Sequence, residues 1–542
     1  MADTDMIEAQ PLQPEQPSAY LPAGPPEPLI MENFEGINTA TTRPGVDDKQ
    51  MAWCDGFMPL GPRRNLRTLW GVGPAGFTTP GAGVVFYQFG NISTTPIAVV
   101  VLSDGSIYQF NTTTYVRTLM AAAGTILSPS QLNIGISQYG DQFIQIVAKQ
   151  ANGYFLWDGS TFYGPGAAVP GYGSVPLAIG GTAIENYAGR VWIANGATIT
   201  FSAPGSLSDF SSASGGGNFT SSDSFLRTRF VQLKQTNGFL YLVGDSSVNY
   251  ISGVQTSGSP PVTTFTNQNA DPEVGSPWPN TVDVFNRNIL FANSFGAHVS
   301  YGGAVTKISE MLDGIYNTVP NFGNLVPSAA KAIVFGKKVW MLLLPIIDPI
   351  TGLQVNKLLM WNGKQWWAAT QDIGLIFIQF QEIDSVLTAW GTDGAAIYPM
   401  FQQPSAVMTK IVQSRLWDNP GGYQFAKTAN RFWALTSYYN FLAAALTVSI
   451  DTEKPLVNSE SVTISIGPTQ VVWTNNTGAV VPWANNSAQA VIWYTSGTSF
   501  ALSSPQAIGN TGVLTGFTIT TNAADMALIS AMIQDGIPAY RG

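Results

Sequence analysis

One spacing constrains this chain more than any other feature. A short motif returns along it: an aromatic residue or Thr, then small or polar residues, then a run of large apolar ones. It reads Phe89-Gly90-Asn91 before Ile97–Leu102, Tyr139-Gly140-Asp141 before Phe143–Val147, and Tyr187-Ala188-Gly189 before Val191-Trp192-Ile193. It returns at Thr236-Asn237-Gly238, Phe285-Asn286-Arg287 and Phe335-Gly336-Lys337, with a looser copy at Glu382–Ser385. The intervals between 89, 139, 187, 236, 285 and 335 are 50, 48, 49, 49 and 50 residues. Many copies carry a second turn signal, as in Asp104-Gly105, Asp158-Gly159, Asn195-Gly196, Asn362-Gly363 and Asp393-Gly394. Asp-Gly and Asn-Gly pairs accept the positive φ angles of two-residue hairpin turns, which match strand twist. A hairpin unit of this length is the size of a four-stranded propeller blade, about 40–50 residues.

The spacing therefore predicts an all-β chain: a β-propeller of six to eight blades over 76–405, followed by a C-terminal β-rich domain over 406–542. Stacked blades bury both faces of their strands, which accounts for a hydrophobic content of 45%. The 55 Gly and 35 Pro fit a turn-rich fold and count against a helical one. Residues 1–35 form a Pro-rich arm without apolar periodicity, expected to be disordered or extended until a partner binds it. An N-terminal segment, 36–75, leads into the propeller. In the C-terminal region, Leu446–Ile450 and Ser461–Ile466 alternate as strands do, and Asn522 is placed to cap a short amphipathic helix through Ile529.

The scarce residues narrow the chemistry. Cys54 is the only cysteine and His298 the only histidine, so an intrachain disulfide, a thiolate zinc cluster and a multi-histidine metal site are excluded. A Ser–His–Asp triad would have to use His298, which reads more simply as a strand residue after a turn. No cofactor, metal or catalytic residue is expected. The Asp-Gly turns, Ser103-Asp104-Gly105-Ser106 above all, resemble the hairpin box of sialidases, but Arg227 and Arg229 supply no arginine trio spread across blades. No Gly-x-x-x-x-Gly-Lys phosphate loop occurs, and Ser214–Gly217 reads as a loop. The cluster Arg63-Arg64-Asn65-Leu66-Arg67 beside Trp70 fits either a contact to DNA or an acidic partner, or a solvated patch at a domain junction. Trp361, Trp366 and Trp367, and Trp473, Trp483 and Trp493, fit either sugar stacking or core and interface packing. The strongest apolar run, Val339–Leu344, is stopped by Pro345, short of the roughly 20 residues of a membrane span. With Asp3, Asp5 and Glu8 at the start there is no signal-peptide pattern. A soluble protein made in a cytoplasm, without membrane insertion, is expected.

The stretch from Gly36-Ile37-Asn38 to Asp55-Gly56-Phe57, the propeller repeat, Lys427–Trp433 and the terminal block from Gly516-Phe517-Thr518 to Pro538–Gly542 together resemble the tail nozzle or hub proteins of short-tailed bacteriophages. The resemblance implies a structural virion protein of the viral tail. It implies a homohexamer that extends the DNA channel below the portal and adaptor, retains the packaged genome and anchors fibres or spikes. Double-stranded DNA would pass through the lumen without sequence-specific binding. No catalytic residues come with this family. The net charge of −9 would let DNA slide rather than stick. The competing readings are a propeller glycan hydrolase or carbohydrate-binding protein, and a generic propeller scaffold.

Overall fold

The computed structural model describes residues 28–220, 229–316, 318, 326–418, 427–438, 444–453, 461–466, 470–471, 483–484, 490–491, 493–494, 500–503, 506–507 and 510–536. Its repeats are antiparallel four-stranded units, and there are seven of them. Blades 1 to 6 span 84–121, 134–163, 183–220, 230–271, 283–307 and 328–368. Blade 7 takes three strands from Phe377–Ile383, Val386–Thr392 and Ala396–Pro399. Its fourth is Phe77–Thr78, from the other end of the propeller, pairing Ile397 with Phe77. One blade built from both ends closes the ring. Closure also shows where blade 7 meets blade 1: Tyr87 donates its hydroxyl to the Trp390 carbonyl at 2.8 Å, and its ring packs edge-on to Phe377.

The motif found in the sequence is the tight turn between the first two strands of a blade, except in blade 1, where Phe89-Gly90-Asn91 belongs to the first strand and Ser93-Thr94 make the turn. Asn286 and Arg287 sit at φ 49° and 66°, and Phe335 and Gly336 at 47° and 73°, the geometry of a two-residue turn with both centres left-handed. The second signal marks the later turns. Gly105 lies at φ +80°, and a Cβ there would meet the Ile126 carbonyl oxygen at 2.2 Å, so only glycine fits. The apolar runs that follow the motif are second strands buried on both faces, as in Phe143–Ala148 and Val339–Leu344. Each such Val, Leu or Ile contributes roughly 1.5–3 kcal/mol by leaving water.

Blade 6 does not end at its fourth strand. Beside Trp366–Ala368 lies Trp53–Asp55, running parallel to it, and the sheet runs on through Lys410–Gln413, Thr515–Thr521, Ala444–Thr452 and Ser461–Ile466 to nine strands. A second sheet joins Phe57–Leu60 and Asn65–Thr68 to Met526–Gly536, Lys427–Tyr438 and Phe500–Leu502. The segment 36–75 and the C-terminal region thus share both sheets and one core, in which Trp53, Phe57, Phe432 and Phe517 meet Trp340 of blade 6. A buried ionic cluster ties the two parts together. Lys357 of blade 6 donates to Asp55 at 2.7 Å and approaches Asp348 at 2.8 Å, while Asp55 also accepts the Thr370 N–H and hydroxyl. Burial pulls the Lys357 ammonium down, but the two carboxylates outweigh it and raise its pKa.

Two expectations need correction or completion. The expected helix over Asn522–Ile529 is absent. Thr521 accepts the Ala523 N–H at 3.0 Å and turns the chain, and Thr68 accepts the Met526 N–H at 2.9 Å. Residues 526–536 then run as a strand between Lys427–Tyr438 on one side and Asn65–Thr68 with Leu29–Glu32 on the other. Pairing on both edges decides the conformation there, overriding a locally helical pattern. Within the arm, Leu29–Glu32 is a strand, and residues 1–27 lie outside the described residues.

Candidate functional site

The first strands of the seven blades converge on the propeller axis, where ligand sites of closed β architectures are commonly sought. The lining mixes apolar side chains, such as Phe86, Ile136 and Ile184, with Gln88, Gln232, Lys234, Asn280, Asp283 and Gln379. They leave about 30 Å³ open, room for roughly two waters. The major groove of a duplex alone is about 12 Å wide, so DNA cannot thread a single propeller.

Charge alternates around half of this ring. Ser137, Glu185, Lys234 and Asp283 stand two residues before the ends of four successive inner strands, and Lys331 follows in the next blade. Burial raises the Glu185 carboxyl pKa, with Lys234 opposing the shift. Lys331 reaches Asp283 at 3.4 Å, donates to the Val284 carbonyl at 2.8 Å and lies 4.0 Å from the Phe380 ring centre. The other half uses amides. Gln379 donates to Gln88 at 2.8 Å, and Gln381 donates to Thr112 at 2.6 Å. These bonds cross blade boundaries and fix their register. The arrangement offers ion pairs and amide ladders, with no nucleophile held by a base.

The residues singled out in the sequence are dispersed. His298 lies in the strand Gly296–Ser300, faces Asn293 Oδ1 at 3.1 Å through Nε2 and stacks on Phe291. Burial, helped by Lys307, lowers its pKa to about 4. Cys54 is buried, and that burial pushes its thiol up, with Asp55 adding to the shift. Asp104 accepts the Ser106 N–H and hydroxyl, Asp158 accepts the Ser160 N–H and hydroxyl and the Thr161 N–H, and Asp393 accepts the Ala395 and Ala396 N–H groups. Arg229 pairs with Asp245 at 3.3 Å, while Arg227 lies outside the described residues. Trp361, Trp366 and Trp367 are core residues of blade 6. Trp473 and the side chains of Trp483 and Trp493 lie outside the described residues. Ser214–Gly217 leads into a blade edge, where the Gly215 carbonyl accepts from buried Arg190 at 2.8 Å. In the basic cluster, Arg64 pairs with Glu35 and Arg67 with Asp525, and Arg67 also lies 4.2 Å over Phe335. Among the described residues no three His, Cys, Asp or Glu side chains converge as metal ligands, and no helix is long and apolar enough to cross a membrane.

Sequence reasoning missed the axial ring, although its signal was present. Gln88, Gln232 and Gln379 stand four residues before the ends of their strands. Aligning the residues ahead of the motif, rather than the apolar run behind it, would have revealed both layers.

No protein-family model matches the chain, and no curated protein matches it. Among solved structures, it is similar to the RRP9 WD40 repeats at 7% identity, over 62% of this chain and 99% of that one, with a TM-score of 0.38. It is also similar to BamB from Moraxella catarrhalis at 11% identity, over 64% and 95% of the two chains, with a TM-score of 0.33. At 11% identity, 64% and 98% coverage and a TM-score of 0.33, the N-terminal domain of Nup159 is a third. Likenesses this distant carry no functional argument, and the propeller stands on its own sheet topology: seven four-stranded units closed by Phe77–Thr78.

Proposed function

We propose that this chain is a structural virion protein, a tail nozzle or hub subunit, whose copies form a ring that extends a DNA channel and carries fibres or spikes. The observation that supports this most is the nine-stranded sheet shared by blade 6 and the second domain, which the segment 36–75 and the C-terminal region build together. A propeller inserted between two halves of that domain, and continuous with it through Trp53–Asp55, suits a rigid platform fixed to a wall. Strain applied to the propeller passes into the wall through backbone hydrogen bonds and the Lys357 cluster rather than through a linker.

The narrow propeller axis refines the reading. DNA passage would require a lumen between copies, walled by the second domain, with the propellers outside. Net acidity bears on that lumen only through charges on its wall, since screening acts over about 8 Å. The glycan-binding alternative loses one support, because the tryptophans of blade 6 are buried rather than presented.

Electron microscopy of the purified chain, and of virions bearing it, tests the proposal. A closed ring with a lumen wide enough for a duplex is expected. A strictly monomeric protein, or turnover of sialosides or capsular polysaccharide, would overturn it.

A further inference from the structure

A strip of unpaired cations crosses the junction of blades 5 and 6 with the second domain. Phe335 in the first turn of blade 6 lies under Arg67 and edge-on to Trp70 at 5.3 Å, which joins the turn carrying Arg63 to the turn carrying Lys337 and Lys338. Lys338 stands 5.3 Å from the Phe285 ring, at the foot of the blade 5 turn that carries Arg287. Phe285 packs 6.0 Å from Trp361, just ahead of the turn that carries Lys364. Arg63, Arg287, Lys337, Lys338 and Lys364 are all exposed. Among the described residues none of the five forms an ion pair.

Such a strip is unexpected in an acidic chain, and the sequence holds its complement. Residues 1–27 contain Asp3, Asp5, Glu8, Glu15 and Glu27 and no Lys or Arg. They contribute −5 of the net −9, leaving −4 for 28–542. The arm joins the chain one short strand away from the strip: it runs into Leu29–Glu32, whose far end, Glu32 with Asn33, shares one cleft with Arg63, and Glu35 pairs with Arg64. Extended, 27 residues reach up to roughly 90 Å. Tethering also places the five carboxylates at an effective concentration of order millimolar.

We propose that the acidic arm, residues 1–27, docks on the cation strip of its own chain and covers it. The covered strip is thereby kept from other polyanions, duplex DNA included. This inference does not rest on the nozzle reading and survives its failure.

Zero-length carbodiimide coupling, which joins a carboxylate to a lysine amine with loss of water, tests the proposal on the full chain. A mixture of unlabelled and ¹⁵N-labelled protein is coupled and mapped by mass spectrometry. Asp3, Asp5, Glu8 and Glu15 are expected to couple to Lys337, Lys338 and Lys364 within single-isotope species. The yield should fall at least about five-fold in 0.5 M salt, where exposed charges are screened, and likewise in Lys337→Glu/Lys338→Glu. Equal coupling to Lys149, exposed at the opposite rim, or coupling only between isotopes, would overturn it. A second variant keeps the fold untouched: Asp3→Asn, Asp5→Asn, Glu8→Gln, Glu15→Gln and Glu27→Gln together. It should bind a fluorescent 20-base-pair duplex about ten-fold more tightly than the unmodified chain at low salt. Unchanged affinity would count against the proposal.

Discussion

The propeller and the second domain are both sheet structures of similar composition, yet they are specified in opposite ways. In the propeller, partners lie close along the chain. Ile134–Tyr139 pairs with Phe143–Ala148, and the next copy of the same hairpin follows about fifty residues on. In the second domain, partners come from opposite ends. Leu29 pairs with Ile533, Thr68 bonds to Met526, and Arg43 reaches Asp451 at 2.6 Å. The propeller can assemble blade by blade, whereas the second domain waits for the whole chain. Loop closure over such separations is slow and adds entropy cost before any contact rewards it. The second domain should therefore be the part that yields first.

The largest effect should come from the ionic cluster where the two parts meet. Asp55→Ala removes an acceptor of the Lys357 ammonium and of the Thr370 N–H and hydroxyl, leaving a buried cation with Asp348 as its one carboxylate and the Thr370 hydroxyl at 3.2 Å. Breaking a buried pair costs about 3–5 kcal/mol, and the remaining Asp348 argues for the lower end. In urea, the variant should lose the second domain at a lower midpoint while the propeller holds. A single shifted transition would show that the two parts unfold together. Next comes the ring closure. Phe77 is buried against Phe110, with ring centres 5.6 Å apart, on a strand of two residues. Phe77→Ala should cost about 3 kcal/mol and speed hydrogen exchange in blade 7 and blade 1 ahead of the other blades. Uniform exchange across all seven blades would show that closure is not the weak seam of the ring.

What could be read from the sequence divides along the same line. The motif, its turns and the buried second strands are local, so spacing alone placed them. Phe77–Thr78 was out of reach, because two residues carry no periodic signal and their partner lies at Ala396–Pro399. The helix expected at Asn522–Ile529 failed for the same reason: its pattern is local, while the strands that pair with it begin at Asn65 and Lys427. The axial ring was legible in principle, since Glu185, Lys234 and Asp283 recur in register. Polar residues between apolar strands, however, look like ordinary turn flanks until the strands are known to converge. The cation strip is legible only in part. Arg63, Arg64 and Arg67 stand together in sequence, but Arg287 and Lys338 join them only through Phe335, Phe285 and the packing of blades 5 and 6.

Two buried titrating groups, one in each part, extend the contrast to pH at smaller amplitude. His298 belongs to blade 5. Its folded pKa of about 4 lies below the ordinary 6.5, so between those values the unfolded chain binds a proton that the folded chain does not. Stability then rises with pH, and is lost as pH falls from about 6.5 toward 4. His298→Gln should remove that slope, seen as a urea midpoint for the propeller that changes less over this window than in the parent. An identical slope would assign the pH response to carboxylates alone.

Lys410 is the counterpart on the strand Lys410–Gln413 of the second domain. It is wholly buried, with its ammonium donating to the Ser405 carbonyl at 2.8 Å and the Met408 carbonyl at 3.3 Å. Burial lowers its pKa to about 8 from 10.5, against the pull of Asp372 and Asp525. Between those values the unfolded chain again holds the extra proton, so stability should rise with pH above about 8. The slope is at most about 1.4 kcal/mol per pH unit. Lys410→Met should flatten it, and only in the transition of the second domain. If the flattening appeared equally in blade 5 hydrogen exchange, the two parts would share one cooperative unit, and the short-range ring would owe its stability to the long-range sheet it is joined to.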